Sequence, residues 1–584
     1  MTNFFIGESD KRDFLFTLTK KPVNEASTIS EFELTKELFV QFERRYSDQI
    51  TFFDNGDLLI FSGYMLNSSV PELKNRLIKN IQELALIDGH FCGVFFQRNQ
   101  APLTFADRFG GRTLYFKHEQ NKLICSTKTS VFETNTDSLS SLGLAESLYY
   151  RCLSHRQTLF DDITKLPHAH YCKLAIEQDQ TFLPFWTMPK SSRYRKISEQ
   201  QTSLVKSALD SQLQRLASNF KSVAIPLSGG VDSFILAALS RDHFDSVTAY
   251  TPYWKNGENP ELETAKAFAK MLGIKHVLIE IQDQDIESEL CSILAEQEQP
   301  LRNYSSIALH ILLKSIPEDE QLILYGEAAD TLFGSTSTKR ILHDNAYRSI
   351  LSIVPSRIIE IGKKFNQKFK ILDEIKKSSV KSLVLSPLAL KHSKKSKEVI
   401  AHLLESSAEK EDIWSESYLD EEPLSAIFKL NMSTDVAQHC MEIEVAARRF
   451  NKVIATPFHC QALQKMSSEL TLSALFGSKT NTYLPGFLYS DDALVKPLLR
   501  QLACRYAPIS LIYQKKHGFP VPMIQWLKGP LTKRLDELFE IDSFLGGYDK
   551  SDFDVADNYE LLWTLLNIQI LVEHQTNTRQ VEVN

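Results

Sequence analysis

The residues with the clearest capacity for chemistry are Ser228, Gly229, Gly230, Asp232 and Ser233, spaced Ser-Gly-Gly-x-Asp-Ser. The apolar run Ala224-Ile225-Pro226-Leu227 precedes them, Val231 lies between, and a second apolar run, Phe234 to Leu239, follows. A β-like lead from Ser222 to Leu227, a glycine turn and a helical continuation form a strand-loop-helix whose backbone N–H groups can hold phosphates at the helix N-terminus. Glycine permits the tight turn and lets a phosphate approach with no Cβ in the way. Ser228 and Ser233 add hydroxyl donors. Asp232 would repel a bare phosphate, so its place in the loop implies a cation such as Mg²⁺ between the two. Neither a Gly-Lys-Ser/Thr nor a third spaced glycine follows, which excludes the Walker and dinucleotide patterns.

The elements that must carry this loop are legible around it. Helical spacing starts at Ser198 (Leu204, Val205, Ala208, Leu213, Leu216) and leads into the loop's strand. Further strands are expected at Val247 to Thr251, His276 to Ile281 and Gln321 to Tyr325, with a helix starting near Glu261. This alternation predicts a parallel, doubly wound sheet with its ligand outside the strands' carboxyl ends, where Thr251, Tyr325 and Gly326 also fall. Before Pro189 the chain reads as β-rich. Strands are expected at Gln49 to Phe53, Leu58 to Gly63, Phe91 to Gln97, Leu103 to Ala106, Thr113 to Lys117 and Lys122 to Ser126, with a helix over Val70 to Leu86. The fold class is therefore α/β: an N-terminal α+β sheet sandwich and a C-terminal doubly wound parallel sheet with added helices.

At 584 residues the chain exceeds one ordinary core. Its net charge of −7 gives no general attraction to nucleic acid or to an acidic membrane, so neither is expected as a partner. The eight cysteines are scattered, without a Cys-x-x-Cys pair or a metal-ligand spacing with histidine, which reads as buried free thiols in a reducing compartment. Met1-Thr2-Asn3-Phe4-Phe5 lacks a basic lead and a long apolar run, so a cytoplasmic location is expected. Lys339 to Lys397 reads as solvated helix faces or as a basic surface for an acidic or peptide substrate.

The phosphate loop resembles that of enzymes that split ATP between its α and β phosphates. Three early stretches resemble the glutamine-amidotransferase domain of asparagine synthetases: Ile87 to Val94, Ala106-Asp107-Arg108-Phe109-Gly110-Gly111-Arg112-Thr113-Leu114-Tyr115-Phe116, and Leu123 to Thr127. Leu159 to His170 looks like the same family's junction segment, and Phe185-Trp186 like its closing Tyr-Trp. The family's nucleophilic cysteine after the initiator Met is replaced by Thr2, and its glutamine-gripping Asn-Gly-Glu corresponds to Ser62-Gly63-Tyr64. Residues 1–190 thus read as a degenerate amidotransferase-like domain and 198–584 as the ATP-pyrophosphatase and amide synthetase domain.

In the second half, Gly326-Glu327-Ala328-Ala329-Asp330-Thr331-Leu332-Phe333-Gly334 resembles the family's Ser-Gly-x-Gly-x-Asp-Glu-x-Phe-x-Gly, with Ala328 for a glycine and Thr331 for an acid. Asp330 is then the partner of Asp232 on Mg²⁺, or a helix N-cap. Only Pro457 and Phe458 survive of the family's Glu-x-Arg-x-Pro-Phe-Leu-Asp; Val453 and Ala455 stand where the Glu and Arg would sit. His459 and Cys460 beside them invite a nucleophile reading, against which a buried structural role is weighed. Lys496-Pro497-Leu498-Leu499-Arg500 and Lys516-His517-Gly518-Phe519-Pro520-Val521-Pro522 resemble the family's Lys-x-x-Leu-Arg and Lys-x-Gly-Phe-x-x-Pro.

The resemblance places the chain in the asparagine synthetase family, in a branch without the glutaminase cysteine that β-lactam synthetase, carbapenam synthetase and lasso-peptide cyclases look like. It implies ATP and Mg²⁺ as cofactors. Leu227, Ser228, Gly229, Gly230, Val231, Asp232, Ser233, Thr251, Tyr325 and Gly326 would contact ATP, Asp232 and Asp330 the metal, and Lys496 and Lys516 would be catalytic. The function implied is an AMP-forming ligase that adenylates a carboxylate and joins it to an amine of the substrate, as in peptide macrocyclisation or β-lactam closure. The partners would be a small-molecule or peptide carboxylate, its amine and biosynthetic partner enzymes. The alternatives are asparagine synthesis from free ammonia and a catalytically silent scaffold.

Overall fold

The computed structural model describes residues 15–19, 29–35, 38–43, 50–119, 121–132, 138–153, 156–176, 179–189, 196–255, 257–366, 368–385, 398, 422–477, 495–514, 518–539 and 550–582. Thr2 and Lys516 lie outside them.

The first half is built on two antiparallel sheets. One holds β1 (Leu15–Thr19), β2 (Ile29–Thr35), β3 (Leu38–Glu43), β8 (Tyr115–Glu119), β9 (Lys122–Ser126) and β10 (Ile163–Lys165), in the order β10-β8-β9-β1-β3-β2. The other holds β4 (Ile50–Phe52), β5 (Leu58–Met65), β6 (Gly89–Phe96), β7 (Leu103–Ala106), β11 (His170–Lys173) and β12 (Leu183–Pro184), in the order β12-β11-β7-β6-β5-β4. Side chains alternate across a strand, so Leu58 and Ile60 of β5 enter the core between the sheets with Phe16, Val94 and Phe116. Leu59 and Phe61 point the other way, into a second cluster with Leu73 and Leu77 of α1 (Val70–Lys79). With both faces covered, every residue of β5 is buried.

Most expected strands are present, within two residues. Among the described residues seven strands were not anticipated: β1, β2, β3, β10, β11, β12 and, in the second half, Val453–Ala455. In β2 the apolar residues Ile29, Phe32 and Leu34 do not keep a strict period of two, and a bulge lies between Glu33 and Thr35. The helix expected over Val70 to Leu86 ends at Lys79, and a 3₁₀ turn over Ile81–Leu86 completes it.

After α2 (Ser141–Tyr150) and α3 (Glu199–Ala217) comes the parallel sheet: β13 (Ser222–Pro226), β14 (Ser246–Trp254), β15 (Lys275–Ile281), β16 (Leu322–Leu324) and β17 (Val453–Ala455), ordered β15-β14-β13-β16-β17. All four strand pairings are parallel. Val223 and Ile225 pack on α3, α4 (Val231–Ser240) and α5 (Leu262–Leu272); Ala224 faces the other side, among Leu309 and Leu312 of α7 (Ser306–Lys314), which follows α6 (Ile286–Gln297), and Ile443 and Ala446 of the Ala437–Arg449 helix. Helices therefore cover both faces, as a buried parallel sheet requires. The chain turns outward in opposite directions from β13 and β16, which makes their carboxyl ends the topological switch point.

The halves share their apolar interior. Phe109 and Met188 belong to the core under α3 and α4, and Tyr115, Phe132 and Leu148 pack with Trp254, Trp526 and Trp563. No helix among the described residues is long and apolar enough to cross a membrane. All eight cysteines are free thiols, six of them buried.

Candidate active site

The switch point opens into a cavity of about 280 Å³ lined by Leu227, Ser228, Gly229, Asp232, Ser233, Thr251, Tyr325, Gly326 and Asp330, among others. Of the ten residues expected to contact a nucleotide, eight line it; Gly230 and Val231 sit behind them in the same loop. Gly230 is the N-cap of α4, and no side chain caps that helix, so its first-turn N–H groups are available to an anion. The loop is braced from within. Ser228 N–H donates to Ser233 Oγ at 3.1 Å, and Gly230 N–H to Ser228 Oγ at 3.1 Å. The Thr251 hydroxyl donates to the Leu227 carbonyl at 2.6 Å, so Thr251 fixes the end of β13 while lining the cavity.

Lys496 is the centre of the site's electrostatics. Its side chain is 2% exposed, and its ammonium lies 2.5 Å from Asp232 Oδ2 and 2.8 Å from Asp330 Oδ1. One cation thus joins two carboxylates supplied by α4 and α8 (Ala329–Phe333). Lys496 holds φ at 57°, a left-handed conformation uncommon for a side-chain-bearing residue, where it opens the Pro497–Ala503 helix. Its N–H donates to the Leu475 carbonyl at 3.1 Å. The other oxygen of Asp232, Oδ1, is buried with no hydrogen-bond partner, which leaves an acceptor open to a cation.

Asp330 is in the first turn of α8, and the N-cap of that helix is Ala328, so the N-cap alternative for Asp330 does not hold. Ala328 has φ 65° and ψ −7°. This left-handed position explains why the family pattern has glycine there. Val453 and Ala455 lie on the edge strand β17; Ala455 is fully buried in the core, with no room for a charged head group. His459 and Cys460 are buried too. Burial pushes the Cys460 thiol up to about 12, so it is no nucleophile at neutral pH, in keeping with a structural role.

Sequence reading missed the pair that closes the inner wall. His439 Nδ1 lies 2.5 Å from Glu327 Oε2, and its Nε2 is 3.5 Å from the Tyr325 hydroxyl. Burial opposes a charge on His439, but Glu327 outweighs it and raises the imidazole to about 9. Glu327 stands inside a recognised motif; His439 has no local signature, being on a helix more than a hundred residues away. On the outer wall, Phe519 and Pro520 of the Gly-Phe-Pro segment line the cavity, and Phe519 packs on Trp254 with ring centroids 5.3 Å apart.

A buried polar layer joins the halves beneath the cavity. Glu444 accepts from Arg112 Nε at 3.0 Å and Nη2 at 2.7 Å, and its other oxygen lies 3.2 Å from His90 Nδ1. Burial alone would raise the Glu444 carboxyl, but Arg112 and His90 hold it down at about 2. Arg108 pairs with Asp88 at 2.5 Å and donates to Gln464 at 3.0 Å. Where the family grips glutamine, Ser62 accepts from Arg112 at 2.8 Å and the Tyr64 hydroxyl donates to the Ile454 carbonyl.

Known proteins resemble the chain over much of its length. A relative from Bacillus subtilis (strain 168), asparagine synthetase [glutamine-hydrolyzing] 1, is 23% identical over 541 residues, covering 87% of this chain and 81% of that one. Amidase chry2 from Gibberella zeae is 22% identical over 42% of this chain and 40% of its own. A solved structure, NMN synthetase from Francisella tularensis, matches with 18% identity and a TM-score of 0.19 over 24% of this chain and 58% of that one. The asparagine synthase family model matches residues 204–551, more than half of the chain. That span holds the phosphate loop, Asp232, Asp330 and Lys496, and the protein is a member of the asparagine synthase family of ATP-dependent ligases.

Proposed function

We propose that the protein is an AMP-forming amide ligase: it adenylates a substrate carboxylate and passes the acyl group to an amine carried by the substrate. The observation that supports this most is the convergence of Asp232, Asp330 and Lys496 beside the uncapped start of α4. Activation is needed because a carboxylate at neutral pH is a poor electrophile, and AMP turns its oxygen into a leaving group.

Asp232 and Asp330 are the residues that would hold Mg²⁺, and the partnerless Asp232 Oδ1 fits that role. Bound there, the ion would neutralise charge on the triphosphate oxygens. The α4 N–H groups and the two serine hydroxyls would cradle the phosphates. As the substrate carboxylate attacks the α-phosphorus, the α–β bridging bond breaks and pyrophosphate leaves. Lys496, held beside the loop by the two carboxylates, would pair with that leaving group, and an ammonium already positioned there stabilises developing charge with little reorganisation of solvent. The amine then attacks the acyl carbon, AMP departs and the amide forms, with Lys516 assigned to the charged tetrahedral state from its motif.

The loss of the amidotransferase chemistry is part of this reading. Thr2 replaces the cysteine nucleophile, the Ser62 and Tyr64 hydroxyls are engaged internally, and the space beside Tyr64, His90 and Arg108 is about 10 Å³, at the lower limit for one water. Buried Ala455 in place of a charged residue turns the acceptor site away from aspartate. The test is incubation with Mg²⁺-ATP and panels of amino acids, β-amino acids and peptides carrying both groups. AMP and pyrophosphate with an amide product are expected. Formation of ADP, asparagine from aspartate and ammonium, or ammonia from glutamine would overturn the proposal.

A further inference from the structure

Away from the nucleotide cavity, three soft or borderline ligands meet in the buried layer between the halves. His90 comes from the start of β6, Cys440 from the Ala437–Arg449 helix and His459 from the turn after β17. All three are buried, and one ligand atom from each lies within 4.8 Å of the other two. Each imidazole is oriented from behind. His90 Nδ1 is held by Glu444 at 3.2 Å, and His459 Nδ1 by the Thr456 hydroxyl at 2.9 Å. Both Nε2 atoms are therefore left as the ligand nitrogens, in the arrangement by which a carboxylate or hydroxyl fixes a metal-binding histidine.

Two observations separate this cluster from an ordinary polar core. His90 Nε2 is buried and has no hydrogen-bond partner, an arrangement that is unfavourable if nothing fills it. His459 Nε2 stands 4.0 Å from Cys440 Sγ. Zinc bonds of about 2.1 Å to nitrogen and 2.3 Å to sulfur, at a tetrahedral angle, put those two atoms roughly 3.6 Å apart. Closing that pair asks for only a few tenths of an ångström; the other pairs lie within 4.8 Å, so side-chain shifts of up to about 1.5 Å complete the site. The room is also made on purpose by small residues. A Cβ on Gly111 would fall 2.5 Å from His90 Cγ, so only glycine lets the ring lie there.

We propose that His90, Cys440 and His459 form a zinc site that clips the amidotransferase-like sheets to the ligase half, with Cys440 losing its thiol proton to solvent on coordination. The ion would sit one residue from His439 on the same helix and so brace the inner wall of the nucleotide cavity.

The full-length protein is purified without affinity metals, dialysed and analysed for metal content; about one zinc per chain is expected. Cobalt(II) added to chelator-treated protein should give the thiolate-to-cobalt charge-transfer absorption of a tetrahedral site. Cys440→Ser and His90→Gln should lose that absorption and bind zinc at least tenfold more weakly, whereas Cys460→Ser, at the neighbouring buried cysteine, should keep both. Wild-type protein that folds, carries no zinc and gives no charge-transfer absorption would overturn the proposal, whatever the variants do. Unchanged absorption in folded Cys440→Ser would overturn it equally.

Discussion

Replacing Lys496 by methionine tests the core of the site, because it keeps the length and apolar stem of the side chain while removing the ammonium. In the wild-type protein that ammonium touches both Asp232 and Asp330, so the two carboxylates stand no more than about 5 Å apart. At an effective dielectric near 20, two bare negative charges at that separation repel by about 3 kcal/mol. Asp330 is 52% exposed, and solvent screening reduces the figure to about 1–3 kcal/mol. The variant should therefore be less stable than wild type by that amount in metal-free buffer. Millimolar Mg²⁺ should restore most of the loss, since a divalent ion between the carboxylates replaces the missing charge; wild type, with its own cation in place, should respond much less. Chemistry should not be restored. Loss of one preorganised charge at the leaving group lowers AMP formation roughly 10²–10³-fold. The assay is a thermal melt with and without Mg²⁺, together with AMP release in the presence of an acid that supports turnover. A Lys496→Met protein that melts identically with and without Mg²⁺, or forms AMP within tenfold of wild type, would refute the assignment.

Asp232→Ala should abolish Mg²⁺-dependent ATP use while the far-ultraviolet circular dichroism stays native, and calorimetry with Mg²⁺-ATP would expose any retained binding. Lys516→Ala should stop amide formation yet leave nucleotide binding measurable; full turnover would remove Lys516 from the mechanism. The His439–Glu327 pair makes stability depend on pH. Because His439 is raised from 6.5 to about 9 in the folded protein, its contribution is complete below about pH 6.5 and disappears as pH rises through 9. The difference in melting temperature between wild type and His439→Gln should shrink over that window, and a constant difference would count against the pair. Breaking the buried layer with Arg112→Met should cost about 3–5 kcal/mol, because Glu444 is left charged and buried, and Arg112→Met/Glu444→Leu together should recover much of it in denaturant unfolding. Gly63→Ala should prevent folding: at φ 114°, a Cβ there would meet the His90 carbonyl oxygen at 2.0 Å.

Local order in the chain made the strand-loop-helix of the phosphate loop and the strands β13 to β16 readable from sequence alone, while the Asp330 segment was recognised by its resemblance to the family. A strand, a glycine turn and a helix are consecutive, so their spacing is written directly in residue types, and period-2 or helical apolar patterns report which faces are covered. Strand β2 escaped for the same reason, since Ile29, Phe32 and Leu34 do not keep the period of two that would announce it. Tertiary structure alone decided which distant polar groups share a site. Lys496 reaches Asp232 across 264 positions of chain, His439 reaches Glu327 from another helix, and His90 joins Cys440 and His459 across the two halves. No local pattern encodes those meetings, because they are set by how the switch point and the shared core fold the chain back on itself. Only there does a low dielectric turn single lysines and histidines, unremarkable in the sequence, into strongly coupled partners.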